Sequence, residues 1–173
     1  MERPGYLGAG FIPLSPDGRS VLLVTDARSK KQGFPKGHRE PEDGSDLHTA
    51  VRECREEIGW ETSDYTVYEE PFRLTKGSSS YIFRYIVAKE DARLPVGRPG
   101  EISDASWTPI ASLLSEGHEG HEGVEGIEGN KYLRAWIADL KNKEIVRKSA
   151  MLYLLLTKPP CEPVRPSHVV ARA

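Results

Sequence analysis

Residues 37–60 read GHREPEDGSDLHTAVRECREEIGW, and their second half has the apolar spacing of one helix face. The apolar stripe consists of Leu47, Ala50, Val51, Cys54 and Ile58. Ser45 or Asp46 can cap the start of this helix, and Gly59 lies where it would end. The sequence therefore predicts an amphipathic helix over the second half of the stretch.

Three carboxylates share another face of the same helix. Glu53, Glu56 and Glu57 are three and four residues apart, so they point in a similar direction and repel one another. One interpretation is a solvated acidic face. The other is a site for a hard divalent cation, because a compact set of oxygen ligands suits Mg²⁺, or Mn²⁺ as the alternative.

The order of residues within RECREEIGW, residues 52–60, resembles the core of the Nudix box, Arg-Glu-apolar-x-Glu-Glu-x-Gly-apolar. The resemblance covers roughly residues 5 to 140. It implies a Nudix α/β/α sandwich, an α/β fold with a mixed β-sheet between helices. It also implies that Glu53, Glu56, Glu57 and the carbonyl group of Gly37 bind the metal. Arg52 would orient a glutamate of the box.

The loop that opens the box is one residue longer than the family pattern. The pattern has a glycine, five residues, a glutamate, and seven further residues before the arginine. Counting back from Arg52, the glutamate position falls on Gly44, although Gly37 is the glycine that opens the box. Either Glu42 or Asp43 is therefore expected to replace that first glutamate.

Composition indicates one soluble globular domain. The chain has 173 residues, 38% hydrophobic and 29% charged, with a net charge of −2. Nothing global indicates a nucleic-acid or membrane binder, and no run approaches a membrane span. Cys54 and Cys161 are expected to be reduced. A cytoplasmic or nuclear enzyme is the default, with secretion of a chain lacking its leader as the alternative.

A basic segment, residues 26–39, leads into the box. Within it, GFPKGH, residues 33–38, resembles the entry of diadenosine polyphosphate hydrolases and of diphosphoinositol polyphosphate phosphohydrolases. Cations beside a metal site can hold the phosphates that the metal does not reach. The predicted phosphate contacts are Arg28, Lys30, Lys31, Lys36, His38 and Arg39. A solvated loop is the alternative for each of them.

Strands are predicted at residues 6–14 and 20–25 and, after the box, at residues 65–74 and 81–88. Lys76 lies in a connection that either closes over a ligand or is a plain hairpin. Phe83 and Tyr85 point to the same face of the predicted strand at residues 81–88, where they either stack a nucleobase or pack in the core. Glu101 precedes an aromatic strand, as in diadenosine polyphosphate hydrolases, and by that resemblance it helps to bind metal or to position water.

The remaining segments are predicted from composition. The resemblance implies that residues 1–158 form a single Nudix hydrolase domain. Within it, the composition of residues 116–129, EGHEGHEGVEGIEG, predicts a mobile acidic insert. A helix around residues 132–140 covers the sheet, and residues 145–156 are read as a further helix. Residues 159–173 form a proline-rich tail.

By resemblance, the predicted activity is metal-dependent cleavage of a phosphoanhydride in diphosphoinositol or diadenosine polyphosphates. Glu56, Glu57, Arg52 and Glu101 are the predicted catalytic residues. The alternatives are mRNA decapping or nucleotide clean-up, and a non-catalytic sensor of the same fold. The expected partner is a small polyphosphate, with no membrane and with nucleic acid only as a capped RNA substrate. The oligomeric state stays open.

Overall fold

The computed structural model describes residues 7–76, 78–114 and 129–142, without the side chains of Lys76 and Ser79. Four predictions lie outside the described residues: most of the acidic insert, the helix at residues 145–156, the proline-rich tail, and the contact assigned to the Lys76 side chain. Within the described part, every helix is too short or too polar to cross a membrane.

Eight strands and three α-helices make up the described chain. The strands are β1 (Gly8–Leu14), β2 (Ser20–Asp26), β3 (Gln32–Gly33), β4 (Lys36–His38), β5 (Tyr65–Val67), β6 (Phe72–Lys76), β7 (Ser79–Ala88) and β8 (Ile102–Pro109). The helices are α1 (Asp46–Ile58), α2 (Ile110–Leu114) and α3 (Lys131–Asn142), with a short 3₁₀ turn at Thr62–Asp64. The predicted box helix is α1.

All eight strands belong to one mixed sheet. The main order is β3-β2-β1-β7-β5, while β4 pairs with β1, β6 with β7, and β8 with β2. Strands β1 and β7 run parallel from the Gly8–Tyr81 pair to the Leu14–Val87 pair, and every other pairing is antiparallel. This arrangement confirms the predicted mixed sheet.

Helices cover both faces of the sheet. On one face, Ala9 and Phe11 of β1 pack with Ala50, Val51 and Cys54 of α1. On the other face, alternate residues of the same strands pack against α2 and α3. Every residue of β1 is buried, as expected for a strand covered on both sides. The α/β/α sandwich is therefore confirmed.

The capping residue of α1 is Ser45, whose hydroxyl oxygen accepts a hydrogen bond from the His48 N–H. The helix ends before Gly59, whose N–H donates to the Arg55 carbonyl. Both ends of the helix lie where local sequence signals predicted them.

The single strand predicted for residues 65–74 is wrong. Two short strands, β5 and β6, pair with different halves of β7. Val67 pairs with Ile86, whereas Phe72 pairs with Phe83, so the register differs by two residues between them. Pro71 lies directly before β6 and cannot donate to the ladder, which is consistent with a break at this point.

Candidate active site

Arg52 is the centre of the polar network on α1. Its Nη1 donates to Glu53 at 2.9 Å and to Glu56 at 3.3 Å. Its Nη2 donates to the His38 carbonyl oxygen at 3.0 Å, and the remaining donors go to Asp43. A guanidinium has five N–H donors, and this network uses all of them. Arg52 is therefore placed to orient Glu53.

Asp43 is the acid of the opening loop that binds Arg52. Its carboxylate accepts from Arg52 Nε at 3.1 Å and Nη2 at 2.9 Å, and also from Thr49 Oγ1 and the Glu40 N–H, both at 2.9 Å. Burial alone would raise the pKa of Asp43, but these bonds outweigh it and lower the pKa to about 2. Glu42 is exposed. The sequence left Glu42 and Asp43 as alternatives for the first acid of the box, and Asp43 is the one that contacts Arg52.

Gly37 lies between α1 and β1. A Cβ atom on Gly37 would stand 2.1 Å from Cδ of Glu53, so only glycine leaves room for that carboxylate. The Gly37 backbone pairs with Ala9, and its carbonyl oxygen lies close to Gly8. The predicted metal ligand is therefore beside Glu53, with its oxygen on the side of β1.

Glu57 is partly buried and lies beside β4. One of its oxygens accepts a hydrogen bond from the Lys36 N–H at 3.3 Å. Burial, followed by the negative charge of Glu53, raises the pKa of Glu57 to about 8. Burial also raises the pKa of Glu53, although Arg52 opposes this rise. Carboxylates that crowd together in this way favour a cation beside them.

The donor set fits a hard divalent cation, but it is not gathered into a closed cluster. Across residues 7–76, 78–114 and 129–142, no three His, Cys, Asp or Glu side chains converge tightly enough to hold a metal ion as they stand. Glu53 and Glu56 are turned towards Arg52. The carboxylate oxygens of Glu53, Glu56 and Glu57 on one helix face still match the preference of Mg²⁺ and Mn²⁺ for hard oxygen ligands.

Arg98, which the sequence did not single out, lies between Glu101 and the box residue Glu56. Arg98 Nη1 is 3.8 Å from a Glu56 oxygen and 3.7 Å from a Glu101 oxygen. The Arg98 N–H donates to the Glu57 carbonyl, and the Ala27 N–H donates to the Glu101 carbonyl. The loop before β8 is thus fixed to the end of α1. Arg98 was missed because its polar loop carries no local motif.

The basic segment divides into exposed and cavity-lining cations. The Asp26 carboxylate accepts the Arg28 and Ser29 N–H groups, which places Arg28 and Lys30 at the exposed tip of the β2–β3 turn. Lys31 and Lys36, by contrast, line a cavity of about 340 Å³ beside Glu57.

His38 and Arg39 lie on the exposed side of the box loop and do not line that cavity. The His38 ring stacks on Tyr81 with 6.1 Å between ring centroids. The phosphate contacts predicted for these two residues therefore stay predictions, outside the cavity.

Phe83 lies in the core, and Tyr85 packs against it. Phe83 is 0% exposed, and the Tyr85 hydroxyl oxygen accepts a hydrogen bond from Trp136 Nε1 at 2.9 Å. Neither residue lines the cavity beside Glu57. Core packing, the second interpretation of these two aromatics, describes Phe83, and Tyr85 is partly buried against the same core; stacking on a nucleobase stays a prediction.

The far wall of the same cavity comes from the start of α3, at Asn130, Lys131 and Tyr132. These residues were predicted only as part of a covering helix, and no sequence signal distinguishes Lys131 from other surface lysines. A larger cavity of about 460 Å³ lies around Trp60, Trp107 and Arg93, and none of the predicted site residues lines it.

Comparison with known proteins agrees with this geometry. Residues 6–124 match the model of the NUDIX domain. A Schizosaccharomyces pombe protein, described as a probable nudix hydrolase, is 33% identical over 125 residues. That match covers 68% of this chain and 44% of the relative, so the chain spans less than half of the length of that relative.

Solved structures share the fold at low sequence identity. A binary complex of the C. elegans Ap4A hydrolase superposes with a TM-score of 0.51 at 20% identity, over 61% of this chain and 83% of that one. RenU, a Nudix hydrolase from M. smegmatis, superposes with a TM-score of 0.57 at 17% identity, over 83% and 87% of the two chains. With its box, its sheet and its matching domain model together, the chain belongs to the Nudix family.

Proposed function

We propose that this chain is a metal-dependent pyrophosphohydrolase that cleaves phosphoanhydride bonds in highly phosphorylated small molecules. Diphosphoinositol polyphosphates and diadenosine polyphosphates are the candidate substrates. The observation that supports this most is the position of Glu57, which belongs to the glutamate set of α1 and also lines a cavity with Lys31 and Lys36. A site for phosphate chemistry and a site for phosphate binding therefore adjoin.

Glu53, Glu56 and Glu57 would hold Mg²⁺ or Mn²⁺, together with the carbonyl group of Gly37. When bound, such an ion polarises the reacting phosphate and balances the charge that develops during substitution at phosphorus. The raised pKa of Glu57 implies that this residue carries a proton at neutral pH in the metal-free protein. That proton must leave before the carboxylate can serve as a ligand.

The protein groups divide the remaining tasks. Arg52, fixed by Asp43, holds Glu53 in one orientation. Glu56 is 40% exposed and Glu101 is 57% exposed, so water can reach both carboxylates. We propose that one of them accepts the proton of an attacking water molecule. Lys36 lies beside Glu57 and, by its charge, would hold a phosphate group next to the reacting one.

The test is Mg²⁺-dependent turnover of a diphosphoinositol polyphosphate and of diadenosine tetraphosphate, measured side by side. Glu56→Gln and Glu57→Gln remove one predicted ligand each, and Glu42→Gln removes an exposed charge from the neighbouring loop as a matched control. We expect turnover in the wild type and in Glu42→Gln, and a loss of at least about 100-fold in the two box variants.

The alternatives predict different results. A sensor of the same fold would bind one of these ligands without metal-dependent cleavage. A decapping enzyme would cleave capped RNA and leave both small substrates intact. Either result, or equal turnover in the wild type and both box variants, would refute the proposal.

A further inference from the structure

The cavity beside Glu57 receives lysines from three separate elements. Lys31 comes from the end of the β2–β3 turn, Lys36 from β4, and Lys131 from the first turn of α3. Asp26 also lines this cavity, but its Oδ1 already accepts two backbone N–H groups. The volume, about 340 Å³, is within the range of small-ligand sites. Three lysines line this volume against two acids, Asp26 and Glu57, and this excess of lysines favours an anionic ligand.

The aromatic side chains that line the cavity offer no exposed face. Tyr132 and Phe34 are each 2% exposed. The Tyr132 ring has Lys36 Nζ at 5.2 Å and Lys131 Nζ at 5.3 Å from its centroid. Stacking of a nucleobase requires an accessible ring face, and none of the described lining residues provides one.

The start of α3 is held firmly against β3. The Asn130 N–H donates to the Gln32 carbonyl at 2.7 Å, and Asn130 Oδ1 accepts the N–H groups of Tyr132 and Leu133. A Cβ atom on Gly33 would stand 2.0 Å from Asn130 Nδ2, so glycine allows this close approach. The backbone of Lys131 therefore lies at a fixed helix start beside β3.

We propose that this cavity binds the phosphate-rich part of the substrate, with Lys131 and Lys31 contacting phosphate groups that are not cleaved, and that no nucleobase enters it. The inference rests on the proposed function, because it extends the same site away from Glu57. It favours a substrate whose phosphates cluster on a compact core over one that must place an adenine here.

The experiment measures binding of inorganic tripolyphosphate to the full chain by calorimetry, in chelator and at low ionic strength. Lys131→Ala is compared with Arg134→Ala, which removes one positive charge from an exposed position one turn further along α3. We expect Lys131→Ala to weaken binding about fivefold or more and Arg134→Ala by less than about twofold. Lys31→Ala should behave like Lys131→Ala.

A second arm compares adenosine monophosphate with inorganic phosphate. We expect the nucleotide to bind no more tightly than phosphate. Equal losses in Lys131→Ala and Arg134→Ala, no binding of tripolyphosphate to the wild type, or clearly tighter binding of the nucleotide would each overturn the inference. Because no metal is present, these outcomes do not depend on turnover, so failure of this inference is distinguishable from failure of the proposed activity.

Discussion

Replacing Asp43 by asparagine tests how the box is held together. Asp43 is 8% exposed, and its two oxygens accept two hydrogen bonds from Arg52, one from Thr49 and one from the Glu40 N–H. Asparagine has the same shape but only one accepting oxygen, so its NH₂ group would face donors of Arg52 or Thr49. The substitution therefore leaves buried donors without a partner.

The expected loss follows from the pKa of Asp43. Its ordinary value is 3.8, and the folded value is about 2, a difference equivalent to about 2 kcal/mol of folding free energy. Because the folded value is the lower one, this stabilisation is present above pH 4 and is lost as the pH falls towards 2. Breaking a buried pair by removing one partner adds to the loss. We expect Asp43→Asn to cost about 2–4 kcal/mol at pH 7.

The assay is urea unfolding at a series of pH values between 7 and 3, with Glu42→Gln as the matched control. Glu42 is exposed, and its substitution should change the free energy of unfolding by less than about 0.5 kcal/mol. The difference between the wild type and Asp43→Asn should shrink as the pH falls. A loss no larger than that of Glu42→Gln, or a difference that does not change with pH, would refute the reasoning.

Three further substitutions test other parts of the site. In metal-free protein, the raised pKa of Glu57 means that the free energy of unfolding falls as the pH rises from about 5 to 8. In urea unfolding, Glu57→Gln should flatten this pH dependence. Added Mg²⁺ should reduce the same pH dependence in the wild type. Gly33→Ala should displace Asn130, cost about 1–3 kcal/mol in thermal unfolding, and weaken tripolyphosphate binding. Arg98→Gln removes the cation beside Glu101, so kcat should fall severalfold while the free energy of unfolding changes by less than about 0.5 kcal/mol.

Local signals were sufficient to predict the box helix. The apolar spacing, the Ser45 cap and the Gly59 stop all lie within one short stretch, and each acts on neighbouring backbone groups. The choice between Glu42 and Asp43 could not be made in the same way. It depends on which carboxylate is buried against Arg52, and this burial results from tertiary packing.

The cavity was harder to predict because its walls come from distant parts of the chain. Lys36 was found through its position beside the box. Lys131 follows it by nearly a hundred residues and reaches the same volume only because Asn130 pairs with Gln32. Likewise, the prediction for residues 65–74 failed because strand pairing with β7, rather than strand propensity, determines where β5 and β6 end.

Glu57 joins two parts of the site that different elements hold in place. Its carbonyl oxygen accepts the Arg98 N–H, which ties the loop carrying Glu101 to α1, while its carboxylate accepts the Lys36 N–H and lines the lysine cavity. Substitution of the side chain leaves the carbonyl bond to Arg98 in place, but it removes a predicted metal ligand and the acceptor of the Lys36 N–H. Replacing Glu57 should therefore disturb chemistry and ligand binding together, whereas Arg98→Gln should affect mainly kcat and Lys131→Ala mainly ligand affinity. That separation follows from the geometry, because the Glu57 carboxylate lines the lysine cavity while its carbonyl oxygen accepts the Arg98 N–H.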